Sequence, residues 1–539
     1  MSLSELLAVA DPAAPRTLAG LIARFDRLKL LASARAADGR AIDPAGLGET
    51  RVRGVVHDSR NVRPGNLFVA IRGERADGHD FLPAAEAAGA AAAIVERPAI
   101  SLAIPQLVVE RARPSLAHAA AWWYGDPSAE LAVVGITGTD GKTTTSFLAV
   151  AALEAAGLSS GLVGTVETKV GGEREPNSEH GTTPEAPELQ RHLRAMVAAG
   201  NAAAVVETTS HGLALDRVAG IQYRAAILTN LTHEHLELHG TWEAYRDAKL
   251  SLFERLAGTP RTGRPVAAIV NADDPSAGLF VGVSQEAQAR VLTYGTDAAA
   301  EVRATRVEEG SSGLRITYAT ERGEGRLRLR LAGRFNVHNA LAVVALGEGW
   351  GLDREAVTAG LESVDRVPGR MERIDMGQPF DVVIDFAHSP ASLGLVLDEL
   401  APLAAARGGG LVAVFGSAGE RDTEKRSVMG RIAGERCRLV VVTDEDPRGE
   451  DSRTILEEIG RGAEAAGRRR GHDLLVIADR RAAIEAAFER ARPGDVVLLA
   501  GKGHEQTIEG PDGPAPWNER LVAVEALEAL GYAGAAGRA

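Results

Sequence analysis

Short apolar runs closed by glycine or polar residues recur along the chain, and their spacing divides it. Residues 53–56, 67–71, 92–95 and 107–109 read as strands, with helix-like stretches at 82–88 and 114–123, which predicts a small α/β domain. The 45 residues before it, rich in Ala, Arg and Gly, predict a helix or an irregular extension without recognisable chemistry. After a break at Tyr124-Gly125-Asp126-Pro127, the apolar run 131–134 leads into a Gly- and Thr-rich turn, then a helix from Lys142 that Gly157 stops. Runs at 202–206, 225–228 and 266–270 each end in polar residues, as they do where a parallel sheet turns its carboxyl ends to a ligand.

From 303 to 331 the texture changes to alternation. Leu314, Ile316 and Tyr318 are set against Arg315 and Thr317, and Leu327, Leu329 and Leu331 against Arg328 and Arg330, so half-exposed antiparallel strands are expected. Beyond a helix near 337–346, apolar runs at 382–384, 411–415, 439–442, 474–477 and 496–499 alternate with helix-like segments, the pattern of a separate doubly wound domain.

A chain of 539 residues exceeds what one core organises. With 45% hydrophobic and 25% charged residues it is ordinary for a globular protein. The formal net charge of -13 argues against nucleic acid as a partner, because tracking a phosphate backbone takes clustered Lys and Arg. A single cysteine, Cys437, excludes an intrachain disulfide and fits a reducing compartment. No run approaches the roughly 20 apolar residues of a membrane span, and Arg24, Asp26, Arg27 and Lys29 interrupt the N-terminal apolar run, so a cytoplasmic protein without membrane insertion is expected.

The turn after 131–134 reads Gly135-Ile136-Thr137-Gly138-Thr139-Asp140-Gly141-Lys142-Thr143-Thr144-Thr145, between strand and helix. Glycines let backbone N–H groups approach phosphate, the helix N-terminus favours anions, Lys142 can reach the β and γ oxygens, and Thr143 can ligate magnesium. The strict Walker spacing is not met, since Ile136 takes the place of its first glycine. Glu207 follows the next buried strand, where a carboxylate beside a bound triphosphate suits a hard cation. His233, His235 and His239 lie within seven residues and invite a zinc reading, but cysteine is absent there and a triphosphate loop calls for magnesium.

The loop core Gly138-Thr139-Asp140-Gly141-Lys142-Thr143 resembles that of the Mur ligase superfamily and its folylpolyglutamate synthase relatives, with Asp140 where many members carry Asn. The stretch Thr229-Asn230-Leu231-Thr232-His233-Glu234-His235-Leu236-Glu237-Leu238-His239-Gly240 is similar to the superfamily's T-N-L-x-x-D-H-L-D-x-H-G, with Glu234 for Asp. Asp58-Ser59-Arg60 through Asp77-Gly78-His79 resembles a UDP-binding signature. Asp385-Phe386-Ala387-His388-Ser389-Pro390 is similar to D-Y-A-H-T-P. Asp444-Glu445-Asp446-Pro447-Arg448 and Gly501-Lys502-Gly503-His504-Glu505 point to the MurE-type branch, and the resemblance runs from about Val52 to Leu530.

That resemblance implies an ATP-dependent ligase of peptidoglycan synthesis that adds a diamino acid (L-lysine, L-ornithine or meso-diaminopimelate) to UDP-MurNAc-L-Ala-D-Glu through an acyl phosphate. It implies an α/β fold of three domains: a UDP-binding domain over 46–125, a central P-loop ATPase domain with a parallel sheet plus antiparallel strands over 126–366, and a C-terminal Rossmann-like amino-acid-binding domain over 367–539, after an extension over 1–45. ATP contacts are expected from Gly138, Thr139, Asp140, Gly141, Lys142, Thr143, Thr144, Asn271, Asn339 and Arg370. The muramoyl dipeptide is expected at Ser59, Thr182, Thr183, Ser210 and Arg217, and the amino acid at Arg421, Asp446, Arg448, Gly501 and Glu505. Two Mg2+ ions are expected, on Thr143, Glu207, His235 and Lys249, the last as a carbamate. Lys142, Glu207, His235 and Lys249 would be the catalytic set, in a protein expected to be a monomer whose partners are small-molecule substrates. Another Mur ligase or a folylpolyglutamate-type ligase is the alternative, as is a silent nucleotide-binding module. The diamino acid stays open. Arg448 and Arg421 favour a distal carboxylate, while Asp446, in place of the usual Asn, with Glu505 should welcome a side-chain ammonium.

Overall fold

In the computed structural model, residues 2–73, 76–99, 102–177, 181–232, 239–310 and 313–533 are described. They divide into two compact units. The first holds Met1–Arg306, Thr317–Leu327 and Val337–Ser363, and the second Val307–Ile316, Arg328–Asn336 and Val364–Ala539.

Besides the two-stranded pair Arg16–Thr17 and Arg51–Val52, the first unit holds strands of two sheets. The smaller has six strands, in which Val55–Val56, Leu67–Val69, Ala92–Val95 and Gln106–Val109 run parallel. Their continuous apolar runs are buried between helices, as strands covered on both faces must be. The segment expected as an extension is part of this architecture. Leu31–Arg35 pairs antiparallel with Gln106–Val109, and the helix Ala19–Arg27 buries Leu21, Ile22 and Phe25. The helix Leu3–Ala10 carries a capping box between Ser2 and Glu5 and buries Leu3, Leu6 and Ala10 in the core of the larger sheet, with Leu189, Leu193 and Met196. Its few apolar residues, spaced three and four apart, were too short a signal to separate from a loop.

The larger sheet has eleven strands. At its centre Ala132–Thr137 lies between Ala203–Glu207 and Tyr223–Leu228, with Ser160–Val163 beyond the former and Ala267–Asn271 and Arg290–Gly295 beyond the latter, all parallel. The alternation from 303 to 331 forms the antiparallel strands Gly313–Thr320 and Gly323–Leu329, which bury Leu314, Ile316, Tyr318, Leu327 and Leu329.

The second unit is doubly wound. Its six-stranded sheet runs Glu372–Ile374, Asp381–Asp385, Val496–Ala500, Leu411–Phe415, Leu439–Val442, Leu474–Val476, parallel except for the first strand. A core of apolar side chains covers each face. Among the described residues no helix is long and apolar enough to cross a membrane.

Candidate active site

Because Ala132–Thr137 lies between two parallel neighbours, the segments that follow these three strands gather at one end of the sheet. The loop 138–141 is shaped by close packing. A Cβ on Gly138, whose φ is +149°, would collide with Thr229 Oγ1, and one on Gly141, at φ +81°, with Asn339 Oδ1. Asn339 Oδ1 also accepts from Thr145 Oγ1 at 3.2 Å. The Asp140 side chain is exposed, while its N–H donates to Asn230 Oδ1 at 2.9 Å and its carbonyl accepts from Thr229 Oγ1 at 2.6 Å. Asn271 donates to Thr229 O at 2.7 Å, so it braces the same segment. Thr144 is buried beneath the loop.

Two lysines converge on this loop. Lys142 Nζ donates to Gly138 O at 2.9 Å and Thr139 O at 2.7 Å. Lys249, from the helix Trp242–Glu254, is only 2% exposed, and its Nζ reaches the same Gly138 O at 2.6 Å, 4.5 Å above the Tyr245 ring. Tyr245 in turn shares a 2.9 Å hydrogen bond with Thr139 Oγ1. Two ammonium groups on one carbonyl oxygen are at most about 5.5 Å apart and repel by roughly 3 kcal/mol at an effective dielectric of about 20, so an anion at the loop would be favoured. The helix setting of Lys249 is by itself that of a solvated lysine, and its burial sets it apart.

Glu207, fully buried at its strand end, joins the loop to the next segment. Its Oε2 accepts from Thr143 Oγ1 at 3.0 Å and Thr165 Oγ1 at 2.8 Å, its Oε1 from Thr165 N–H at 3.0 Å, and Thr165 Oγ1 also reaches Thr182 Oγ1 at 3.0 Å. A continuous chain thus runs Thr143, Glu207, Thr165, Thr182. Thr165 escaped sequence reading, because its signal is only a Gly-Thr pair at the end of a strand. Thr183 Oγ1 donates to Glu207 O at 2.8 Å, and Arg217 spends its guanidinium on Thr183 O at 2.8 Å and Glu185 at 2.9 Å. Arg217 therefore shapes this segment. Ser210 is buried in the short helix Ser210–Ala214. His239 packs edge-on against His211 and Tyr245, and burial, helped by Lys249, holds its pKa below the usual histidine range.

The oxygen donors Thr143 and Glu207 fit a hard cation such as magnesium. Among the described residues no group of three or more His, Cys, Asp or Glu is arranged to hold a metal ion. His235 lies outside the described residues. Ser59 belongs to the small sheet, in the turn Ser59–Asn61. Of its neighbouring signature, His79 is committed internally, Nδ1 to Asp77 at 2.7 Å and Nε2 accepting from the N–H groups of Glu96 and Arg97.

In the second unit the segments after the strands again converge. A Cβ on Gly416 would strike Thr443 O, one on Gly419 Pro447 O, one on Gly501 Glu445 Oε2 at 2.8 Å, and one on Gly369 His504 N. Arg370 stacks on the Phe386 ring at 4.8 Å. Arg448 and Glu420 adopt left-handed φ of 54° and 55°, conformations that cost a non-glycine residue energy and cluster at functional sites. Asp446 does not present a bare anion. Its Oδ1 accepts from the buried Lys502 Nζ at 2.7 Å and from Glu509 N–H at 3.0 Å, and Lys502 also holds Glu505 at 2.5 Å. Burial pushes the Glu445 and Glu505 carboxyls above the usual range, against the pull of nearby lysines. Lys502 stands in the motif Gly501–Glu505, where no neighbour in sequence foretells its pairing with Asp446.

The chain matches the Mur ligase family, catalytic domain, over residues 51–121, the Mur ligase middle domain over 136–347, and the Mur ligase glutamate ligase domain over 369–503. It is 49% identical over 492 residues to the UDP-N-acetylmuramyl-tripeptide synthetase of Roseiflexus sp. (strain RS-1), covering 90% of this chain and 96% of that protein. It is 40% identical to the UDP-N-acetylmuramoyl-L-alanyl-D-glutamate--2,6-diaminopimelate ligase of Geobacter metallireducens, over 86% of this chain and 93% of that one. A solved structure of a UDP-N-acetylmuramoyl-L-alanyl-D-glutamate--2,6-diaminopimelate ligase superposes with a TM-score of 0.64 at 29% identity, covering 93% of this chain and all of the other.

Proposed function

The chain belongs to the Mur ligase family, and from that premise we propose that it joins a diamino acid to UDP-MurNAc-L-Ala-D-Glu at the expense of ATP, in peptidoglycan synthesis. The names of its relatives support this reading: a tripeptide synthetase, and ligases that use 2,6-diaminopimelate. The observation that carries it is the chain Thr143, Glu207, Thr165, Thr182, which links a phosphate-binding loop by hydrogen bonds to the segment that the family resemblance assigns to the dipeptide.

A carboxylate does not react with an amine at neutral pH, so its oxygen must first become a leaving group. The D-Glu side-chain carboxylate attacks the γ-phosphorus of ATP, ADP leaves, and an acyl phosphate forms. The amine then attacks the acyl carbon, inorganic phosphate departs and the amine loses a proton. Lys142 and the N–H groups of the loop would hold the phosphates and stabilise charge spreading over the transferred group, so catalysis comes mainly from position and electrostatics. Thr143 and Glu207 would hold magnesium, with His235 and a carbamylated Lys249 as partners for a second ion. When bound, the metal neutralises charge on the triphosphate. Carbamylation of Lys249 would also remove the repulsion between two ammonium groups on Gly138 O.

Phosphate release with UDP-MurNAc-L-Ala-D-Glu, ATP and each of L-lysine, L-ornithine and meso-diaminopimelate tests the reading. Release that needs both the dipeptide and one of these amino acids supports it. Release with none of them, or only with a folate substrate, would sink it.

A further inference from the structure

The segment 216–221 touches the cores of both large and small sheets in the first unit. Ala219 packs against the core of the smaller sheet, while Val218 and Ile221 are buried in that of the larger one. Its approach to the helix Ala112–Trp123, which covers the smaller sheet, is close: a Cβ on Gly220 would lie 2.5 Å from Ala117 O. The segment opens on Asp216, whose left-handed φ of 53° closes off the short helix Ser210–Ala214. Charges from three elements meet at this residue. Its side chain is 13% exposed, and Oδ2 accepts a hydrogen bond from Nη2 of Arg111, at the head of Ala112–Trp123. Oδ1 lies 3.5 Å from Nη2 of Arg255, which directly follows the helix Trp242–Glu254 that carries Lys249. A second tie runs beside the first, since Glu185 pairs with Arg217 at 2.9 Å and lies 3.8 Å from Arg113.

We propose that Asp216 is a positioning residue: by tying Arg111 of the small domain to Arg255 at the end of the Lys249 helix, it fixes the separation between the UDP-binding domain and the phosphate loop, so that one long substrate engages both. This rests on the ligase reading above, which puts the uridine diphosphate on the small domain and the dipeptide beside Thr182 and Thr183. A substrate gripped at both ends makes its second contact at high effective concentration, and that gain fades once the spacing of the two sites is no longer held. A ligand that reaches only one end loses nothing. Without the carboxylate, two guanidinium groups are left side by side, so repulsion as well as lost geometry opposes the docked arrangement. Asparagine tolerates a left-handed φ as aspartate does, so Asp216→Asn removes the charge and keeps the turn.

Calorimetry of UDP alone and of UDP-MurNAc-L-Ala-D-Glu, with KM for ATP from phosphate release, compares wild type with Asp216→Asn, Arg111→Gln and the double variant. Asp216→Asn should weaken binding of the full substrate at least fivefold and leave UDP binding and the KM for ATP within twofold. Arg111→Gln breaks the same pair from the small domain and leaves Arg217 in place; it should weaken the full substrate in the same selective way. The double variant should lose no more than the worse single variant, because both remove one tie. Equal weakening of UDP and of the full substrate would mean a general loosening of the small domain and overturn the proposal. Unchanged binding of the full substrate, or losses that add in the double variant, would overturn it too. If Asp216→Asn does not fold, Arg111→Gln, at a side chain 67% exposed, decides with the same two ligands. Selective weakening in the variants, from a wild type that releases no phosphate with any of the three amino acids, would refute the ligase reading and leave this proposal standing. Ligation as expected, with full-substrate affinity unmoved in the variants, would do the reverse.

Discussion

Replacing Glu207 by glutamine separates the carboxylate's structural work from its electrostatic work. The buried side chain accepts three hydrogen bonds, one from a backbone N–H and two from hydroxyls. A glutamine keeps its carbonyl oxygen on Thr165 N–H and turns its amide toward Thr143 and Thr165, whose hydroxyls can accept as well as donate. The stability loss should therefore be about 1 to 2 kcal/mol, a fall of a few degrees in Tm. The charge is another matter. Unit charges about 4 Å apart interact by about 4 kcal/mol at an effective dielectric of about 20, and a divalent ion doubles this. If neighbouring cations and solvent leave a quarter, about 2 kcal/mol, the half-saturating magnesium concentration rises roughly thirtyfold. Magnesium titrations of phosphate release, paired with thermal melts, measure both quantities. An unchanged magnesium requirement, or a Tm drop of more than about 10 °C alongside lost activity, would show that Glu207 serves the fold and not the cation.

Lys249→Met should abolish ligation. Because the side chain is buried and bonded to Gly138 O, it should also lower stability by about 1 to 3 kcal/mol, and short-chain carboxylates should recover part of the turnover; full activity in the variant would eliminate the carbamate role. Glu445 carries a carboxyl whose folded pKa burial raises above its unfolded value of about 4.5. The folded state then holds the proton to higher pH, so this contribution to stability is complete below about pH 4.5 and is lost as pH rises through the folded value. Glu445→Gln should accordingly melt above wild type at pH 8 and level with it at pH 4, and a pH-independent difference would refute the assignment.

Four parallel strands were legible because they are continuous apolar runs ending in polar residues: Ala132–Thr137, Ala203–Glu207, Tyr223–Leu228 and Ala267–Asn271 overlap the runs expected at 131–134, 202–206, 225–228 and 266–270, whereas Ser160–Val163 and Arg290–Gly295, with glycines inside or polar residues among the apolar ones, were not expected. The loop was legible because glycine, lysine and threonine sit at fixed offsets. What stayed hidden was pairing across distance. Nothing local in Thr165 reveals that its hydroxyl donates to Glu207, and nothing in Gly501-Lys502-Gly503 reveals that its lysine crosses to Asp446, 56 residues away. Burial hid in the same way: Lys249 has the helix context of a solvated residue, and only the packing of Tyr245 and the loop places it inside.

The helix Leu3–Ala10 has a consequence for the order in which the protein is made. Its partners Leu189, Leu193 and Met196 lie in the helix Ala186–Ala198. They leave the ribosome roughly 180 residues later, about 10 to 40 s at usual rates of synthesis. For that interval Leu3, Leu6 and Ala10 present an apolar face with nothing to cover it, while the small sheet, complete once Gln106–Val109 is out, can already close. The helix Leu3–Ala10 is thus made well before its partners and docks after the small sheet can close, and its uncovered apolar face is one that a chaperone, or a second unfinished chain, has time to find.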